Sequence, residues 1–253
     1  MATVAVMPEP VAPIGRRRTR SRFFVTLGLL MLILAIAGFW PQYFSAAVGG
    51  TPEPRTQFWI IHLHAAIFVT WLLAYIWQGA MVATGRTAIH VKLGPWLAAF
   101  GLSAALFGLF VAANLAVRQA ERTGDFERSA SFVFFPFIDM IYLASFLTVA
   151  LWFRKRPEIH KRAMSLATFS IAVVGLGRLV RRTGIENPWI WEPLNLAPLL
   201  IALAYDAIVC RRLYAVMLVG LALHAFRINA HPLIATEWWV PVGRARVGPF
   251  RWP

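Results

Sequence analysis

Ile89-His90-Val91-Lys92 and Ile159-His160-Lys161-Arg162 each set an imidazole beside a base where a polar loop gives way to a long apolar run. Two more histidines, His64 and His224, lie within apolar runs. Neutral imidazole nitrogens are good ligands for transition metals. Paired imidazoles from separate helices, with no cysteine or carboxylate cluster, are the donor set of a bis-histidine b-type haem. On this reading His90 and His160 ligate one haem iron, and His64 and His224 a second. Lys92, Lys161 and Arg162 beside the first pair would meet its propionates, and Arg178 with Arg227 would meet those of the second. Two such haems stacked across a bilayer would carry electrons between its faces.

Other chemistries need other patterns. There is no His-Glu-x-x-His, and Asp139 and Asp206 are the only carboxylates inside apolar runs. A zinc-dependent membrane hydrolase is a further alternative, although it would want its ligands to converge at one depth, whereas the histidines divide between two. Copper held by His62-Leu63-His64 lacks nearby soft ligands. The single cysteine, Cys210, excludes an intrachain disulfide, a covalently attached c-type haem and a cysteine-based zinc or iron–sulfur site.

The elements that must position these residues are membrane spans. The chain has 253 residues, 59% of them hydrophobic and only 14% charged, with a mean hydropathy of +0.62. That composition belongs to a multi-pass membrane protein. The net charge of +14 comes from short basic clusters between apolar runs, which is the pattern of positive-inside topology rather than of a nucleic-acid surface. A span needs about 20 apolar residues. Seven candidates are Phe23–Trp40, Phe58–Thr84, Leu93–Val117, Phe132–Phe153, Ala163–Val180, Pro193–Cys210 and Leu213–Arg227. The expected fold is an all-α polytopic bundle, residues 23–230, between a basic tail (1–22) and a Trp-rich tail (231–253) that also holds His231. Trp40, Trp59, Trp96, Trp152, Trp189 and Trp191 fall near span ends, as aromatic belts require.

With the N-terminus in the cytoplasm, fourteen Lys and Arg flank the spans inside: Arg16, Arg17, Arg18, Arg20, Arg22, Arg86, Lys92, Arg154, Lys155, Arg156, Lys161, Arg162, Arg211 and Arg212. Seven lie outside: Arg55, Arg118, Arg122, Arg128, Arg178, Arg181 and Arg182. The positive-inside rule selects that orientation and, with it, a bacterial cytoplasmic membrane. The last two spans are separated only by Arg211-Arg212, so a tight hairpin, a re-entrant pair or one broken helix all fit. Six effective spans in place of seven would move the C-terminus and His224 to the other side. Arg16–Arg22 before an apolar run and Ser45-Ala46-Ala47 also reads as a twin-arginine leader, but the run is long for one and a retained anchor helix is expected.

Within the spans, His64 shares a helical face with Phe68, Trp71, Tyr75 and Gln78, roughly 9 Å below the outer end. Gly94, Gly101 and Gly108 line up with His90 and serve either close helix packing or a flat porphyrin. Arg178 shares a face with His160 and a level with Asp139. It would either pair with Asp139 or receive a cofactor carboxylate.

His64, Gln78, Gly85-Arg86 and His90-Val91-Lys92-Leu93-Gly94, with Arg156-Pro157-Glu158-Ile159-His160-Lys161-Arg162-Ala163-Met164, resemble the two signatures of an uncharacterised group of bacterial multi-pass membrane proteins. In that group His-Arg-x-Leu-Gly opens a helix; Val91 stands here at the usual Arg. The layout is also distantly similar to dihaem transmembrane cytochromes b. The resemblance spans about residues 58–230. It implies a membrane protein and, with it, b-type haem; the expected function is electron transfer or quinone-linked redox, with quinone or respiratory-complex subunits as partners. A non-catalytic oxidase-assembly factor or a small-molecule permease are the other roles it leaves open.

Overall fold

The computed structural model describes residues 14–50, 59–125, 129 and 133–230, without the side chains of 14–21 and 47. Among these residues there are seven α-helices and no strand. They are α1 (Ile14–Phe39), α2 (Trp59–Ala83), α3 (Thr87–Thr123), α4 (Phe134–Trp152), α5 (Pro157–Arg182), α6 (Pro188–Ile208) and α7 (Ala215–Asn229), with a 3₁₀ turn at Phe44–Val48. Each expected span is a helix, and the all-α bundle is the observed fold. Five of the helices, α1 to α5, are long and apolar enough to cross a membrane. The expected tail 231–253, and His231 in it, lie outside the described residues.

Several helices outrun the apolar windows that announce them. α3 has 37 residues and opens at Thr87, six before Leu93. Its far end stops at Gly124, whose φ of 70° places it in the left-handed region. The Gly124 N–H donates to the Ala120 carbonyl at 2.8 Å, a glycine-terminated helix end. α5 opens on Pro157, where the missing N–H has no helical partner to lose. α6 opens on Asn187-Pro188, with the Asn187 side chain accepting from the Trp189 N–H at 3.0 Å. The last hairpin resolves into two helices joined by residues 209–214. Arg211 in that turn adopts φ +50°, and the Arg212 N–H donates to the Asp206 carbonyl at 3.1 Å. Of the arrangements the sequence left open, a pair of helices rather than one broken helix is the observed one.

Successive helices run antiparallel, so the bundle has a proximal end, where α1 begins, and a distal end. α5 is central and packs against α1, α2, α4, α6 and α7. Its polar residues are satisfied locally: Ser165, Thr168 and Ser170 donate to the carbonyls of Lys161, Met164 and Leu166 one turn back. That lets a helix rich in hydroxyls sit in an apolar core. α1 meets α5 backbone to backbone. A methyl on Gly175 would lie 2.6 Å from the Ala35 Cα, and one on Gly38 would overlap the Gly175 carbonyl. The outer surface is apolar, with Ile33, Val91, Leu106 and Ile208 exposed, and Trp40, Trp59, Trp96, Trp152 and Trp189 stand exposed toward its two ends. Such a surface suits lipid, not water.

The close crossing predicts that Gly38→Ala and Gly175→Ala each cost about 1–3 kcal/mol or more through overpacking. Gly94→Ala, whose added methyl meets nothing within 4 Å, should change stability by less than about 0.5 kcal/mol. Thermal melting of the three purified variants in one detergent tests this. A melting temperature for Gly175→Ala equal to that of Gly94→Ala would contradict it.

Candidate functional site

The proximal end is built from two hairpins of the same design. α2 turns into α3 through Arg86, and α4 into α5 through Arg156. Each arginine is the last residue before the helix, and its carbonyl accepts from the third and fourth residues onward. Ile89 and His90 donate to Arg86 at 3.1 and 3.5 Å, and Ile159 and His160 donate to Arg156 at 3.0 and 2.9 Å. The two Ile-His signals therefore occupy the same helical position in each copy. His90 and His160 meet: their ring centroids are 6.0 Å apart with planes at 82°.

The His160 Nδ1 lies 2.8 Å from the Ala150 carbonyl. A carbonyl only accepts, so Nδ1 carries the proton and Nε2 keeps its lone pair, the state of a metal-ligating histidine. The His90 ring faces the Gln78 backbone carbonyl, yet its buried Nδ1 has no hydrogen-bond partner. The Gln78 side chain is only 9% exposed, and both atoms of its amide are also without partners. Polar atoms left bare in an apolar interior are costly, and His90 and Gln78 hold three of them.

The bases beside the pair have carboxylate partners that the sequence reading did not assign. Arg162 is fully buried and grips Asp206 of α6 with two parallel hydrogen bonds, Nε to Oδ2 at 2.7 Å and Nη2 to Oδ1. Its Nη1 donates to Glu158 at 2.7 Å, and its guanidinium lies 3.5 Å from the centre of the Tyr214 ring. Lys161 pairs with Glu158 at 2.8 Å. Two of the three cations expected to meet propionates, Lys161 and Arg162, are thus already neutralised, while Lys92 is exposed. The hint was in the sequence: Asp206 closes a span at the end where Arg162 opens one.

The glycine line divides. A methyl on Gly101 would overlap the Trp71 ring, and one on Gly108 would overlap Met140 and lie 3.0 Å from Phe68, so both glycines serve helix packing. Only Gly94, one turn from His90, borders open space.

The distal expectations change more. Asp139 pairs with Arg227 of α7, not with Arg178. Arg227 donates through Nε at 2.8 Å and Nη2 at 2.6 Å to a fully buried carboxylate. Arg178 instead faces α1, its guanidinium 4.7 Å from the Phe39 ring centre. Level alone had matched Asp139 to Arg178; helix rotation gives it to α7. His64 and His224 do not meet. His64 sets its ring edge-on to Phe68 of its own helix, with its Nδ1 buried and unpartnered. His224 is enclosed by Tyr142, Phe146 and Phe169. His62 accepts or donates at 2.9 Å with the Tyr43 hydroxyl, pointing away from His64, so the two do not form a copper site. Among the described residues no three His, Cys, Asp or Glu side chains converge as metal ligands.

Comparison with known proteins finds no matching family, no matching characterised protein and no matching solved structure.

Removing one partner of a buried ion pair leaves a bare charge, at a cost of about 3–5 kcal/mol. Asp206→Ala should therefore lose that much stability, and Arg162→Met with Asp206→Leu should recover most of it. Unfolding measured across the double-mutant cycle decides. A double variant as unstable as Asp206→Ala would mean that the loss is not one of charge pairing.

Proposed function

We propose that this integral membrane protein holds one redox group, a b-type haem, between α3 and α5 at His90 and His160, and passes electrons to or from a partner in the membrane. The observation that carries the reading is the approach of two imidazoles from separate helices, one of them with its tautomer fixed by the Ala150 carbonyl. The residues present suit the group. His160 offers Nε2, and a ligating His90 would turn its Nδ1–H toward the Gln78 carbonyl that faces it. Gly94, one turn from His90, leaves open space on its helix. Lys92 and Arg86 are exposed next to it and are the bases left to meet propionates. When bound, haem iron supplies a one-electron couple. The chain's own part is to orient the two rings.

The reading has one centre, not two. His64 and His224 lack the convergence that supports the first pair. A membrane quinone or a respiratory-complex subunit is the proposed electron partner. The Lys and Arg distribution supports a cytoplasmic proximal end, and a bacterial inner membrane is the proposed location. A second reading, an assembly factor that docks on a respiratory subunit without chemistry of its own, draws on Lys161 and Arg162 being neutralised and on Gly101 and Gly108 being filled.

Protein purified from haem-sufficient cells should show a Soret band that shifts on dithionite reduction. His90→Ala and His160→Ala should each abolish the whole band, and His64→Ala should leave it intact. A colourless preparation rules the haem out, and a band halved by His90→Ala rules out a single centre.

A further inference from the structure

The distal end of α1 carries a groove that the histidine site does not use. It encloses about 450 Å³ and is lined by Ile33, Ile36, Ala37, Trp40, Pro41 and Arg182. Ile33, Ile36, Ala37 and Trp40 follow the i, i+3, i+4, i+7 spacing of one helix face. That face runs from the bundle end toward its middle, and Ile33 is 62% exposed. Arg182, at the end of α5, closes the groove at its outer margin.

The Arg182 charge is not neutralised. Its guanidinium donates to the Ala37 and Gly38 carbonyls at 3.3 and 2.8 Å and to the Gln42 side-chain oxygen, all of them neutral. Five N–H donors serve three bonds, so two remain. Among the described residues no carboxylate pairs with Arg182 or with its neighbour Arg181. This contrasts with Arg162 and Arg227, each of which holds an aspartate. A guanidinium without a counter-ion at the edge of an apolar surface draws an anion, and it binds phosphate through paired N–H groups. The apolar strip below it belongs to a helix long and apolar enough to cross a membrane, a surface suited to an alkyl chain.

We propose that this groove binds one anionic phospholipid, its phosphate at Arg182 and an acyl chain along Ile33, Ile36 and Ala37. Free phosphate would use only the guanidinium. A zwitterionic lipid would use the strip but brings no net charge for Arg181 and Arg182. The site is independent of haem, and its test does not depend on colour.

The experiment is native mass spectrometry of the full chain in mild detergent, mixed in turn with phosphatidylglycerol, phosphatidylethanolamine and inorganic phosphate. One phosphatidylglycerol should stay bound per chain, at least tenfold more than phosphatidylethanolamine, and millimolar phosphate should not displace it. Arg182→Gln should reduce the adduct at least tenfold. Because Arg182 also caps the end of α1, Ala37→Phe provides the second arm: it fills the groove, leaves the guanidinium in place and should reduce the adduct as much. Full retention in Ala37→Phe, equal binding of phosphatidylethanolamine, or displacement by phosphate would each overturn the proposal.

Discussion

Arg162 is the residue on which the proximal half of the bundle depends. A fully buried guanidinium is tolerable in an apolar interior only if its donors and its charge are both answered. Here Asp206 answers through two parallel hydrogen bonds and Glu158 through a third. The aromatic faces of Tyr214 and Phe24 lie against the planar cation. Those groups come from α5, α6, α1 and the residue before α7. One side chain therefore ties the late helices to the first one, and it does so two residues from His160. The imidazole pair is held where it is partly because α5 cannot rotate without exposing this cation.

A second arginine–aspartate grip works at the distal end. Arg227 and Asp139 fasten α7 to α4, and the Tyr142 hydroxyl adds a bond to the Leu223 carbonyl at 3.0 Å. α7 has only 15 residues, about 22 Å of helix by rise against a hydrocarbon core of about 30 Å. Propensity and length would not hold so short a helix in place. Polar anchors at Leu223 and Arg227, with His224 packed among aromatic rings between them, do.

Much of this was legible in the chain because hydropathy and charge act locally. The seven helices, their alternating direction and the meeting of His90 with His160 all follow from apolar run lengths and from two copies of a short signal. What stayed hidden depends on rotation about helix axes. Asp139 and Arg178 match in depth, yet their side chains leave their helices in different directions, toward α7 and α1. The Gly38–Gly175 crossing was equally invisible, since a glycine announces close approach without naming its partner. The glycines beside His90 showed the converse: a shared face was readable, but which members were filled by Trp71 or Met140 was not.

The separation of charge partners along the chain sets an order of assembly. Arg162 enters the apolar phase 44 residues before Asp206 is made, and Asp139 precedes Arg227 by 88. During synthesis each of these charges must linger at the membrane edge, in water or against the insertion machinery, until its counterpart emerges. The two histidine hairpins can come together early, but the helix that carries His160 is locked only once α6 arrives. Completion is therefore signalled from the C-terminal side: the last helix discharges the last unpaired carboxylate, and a chain that stops short of it leaves a bare charge for quality control to find.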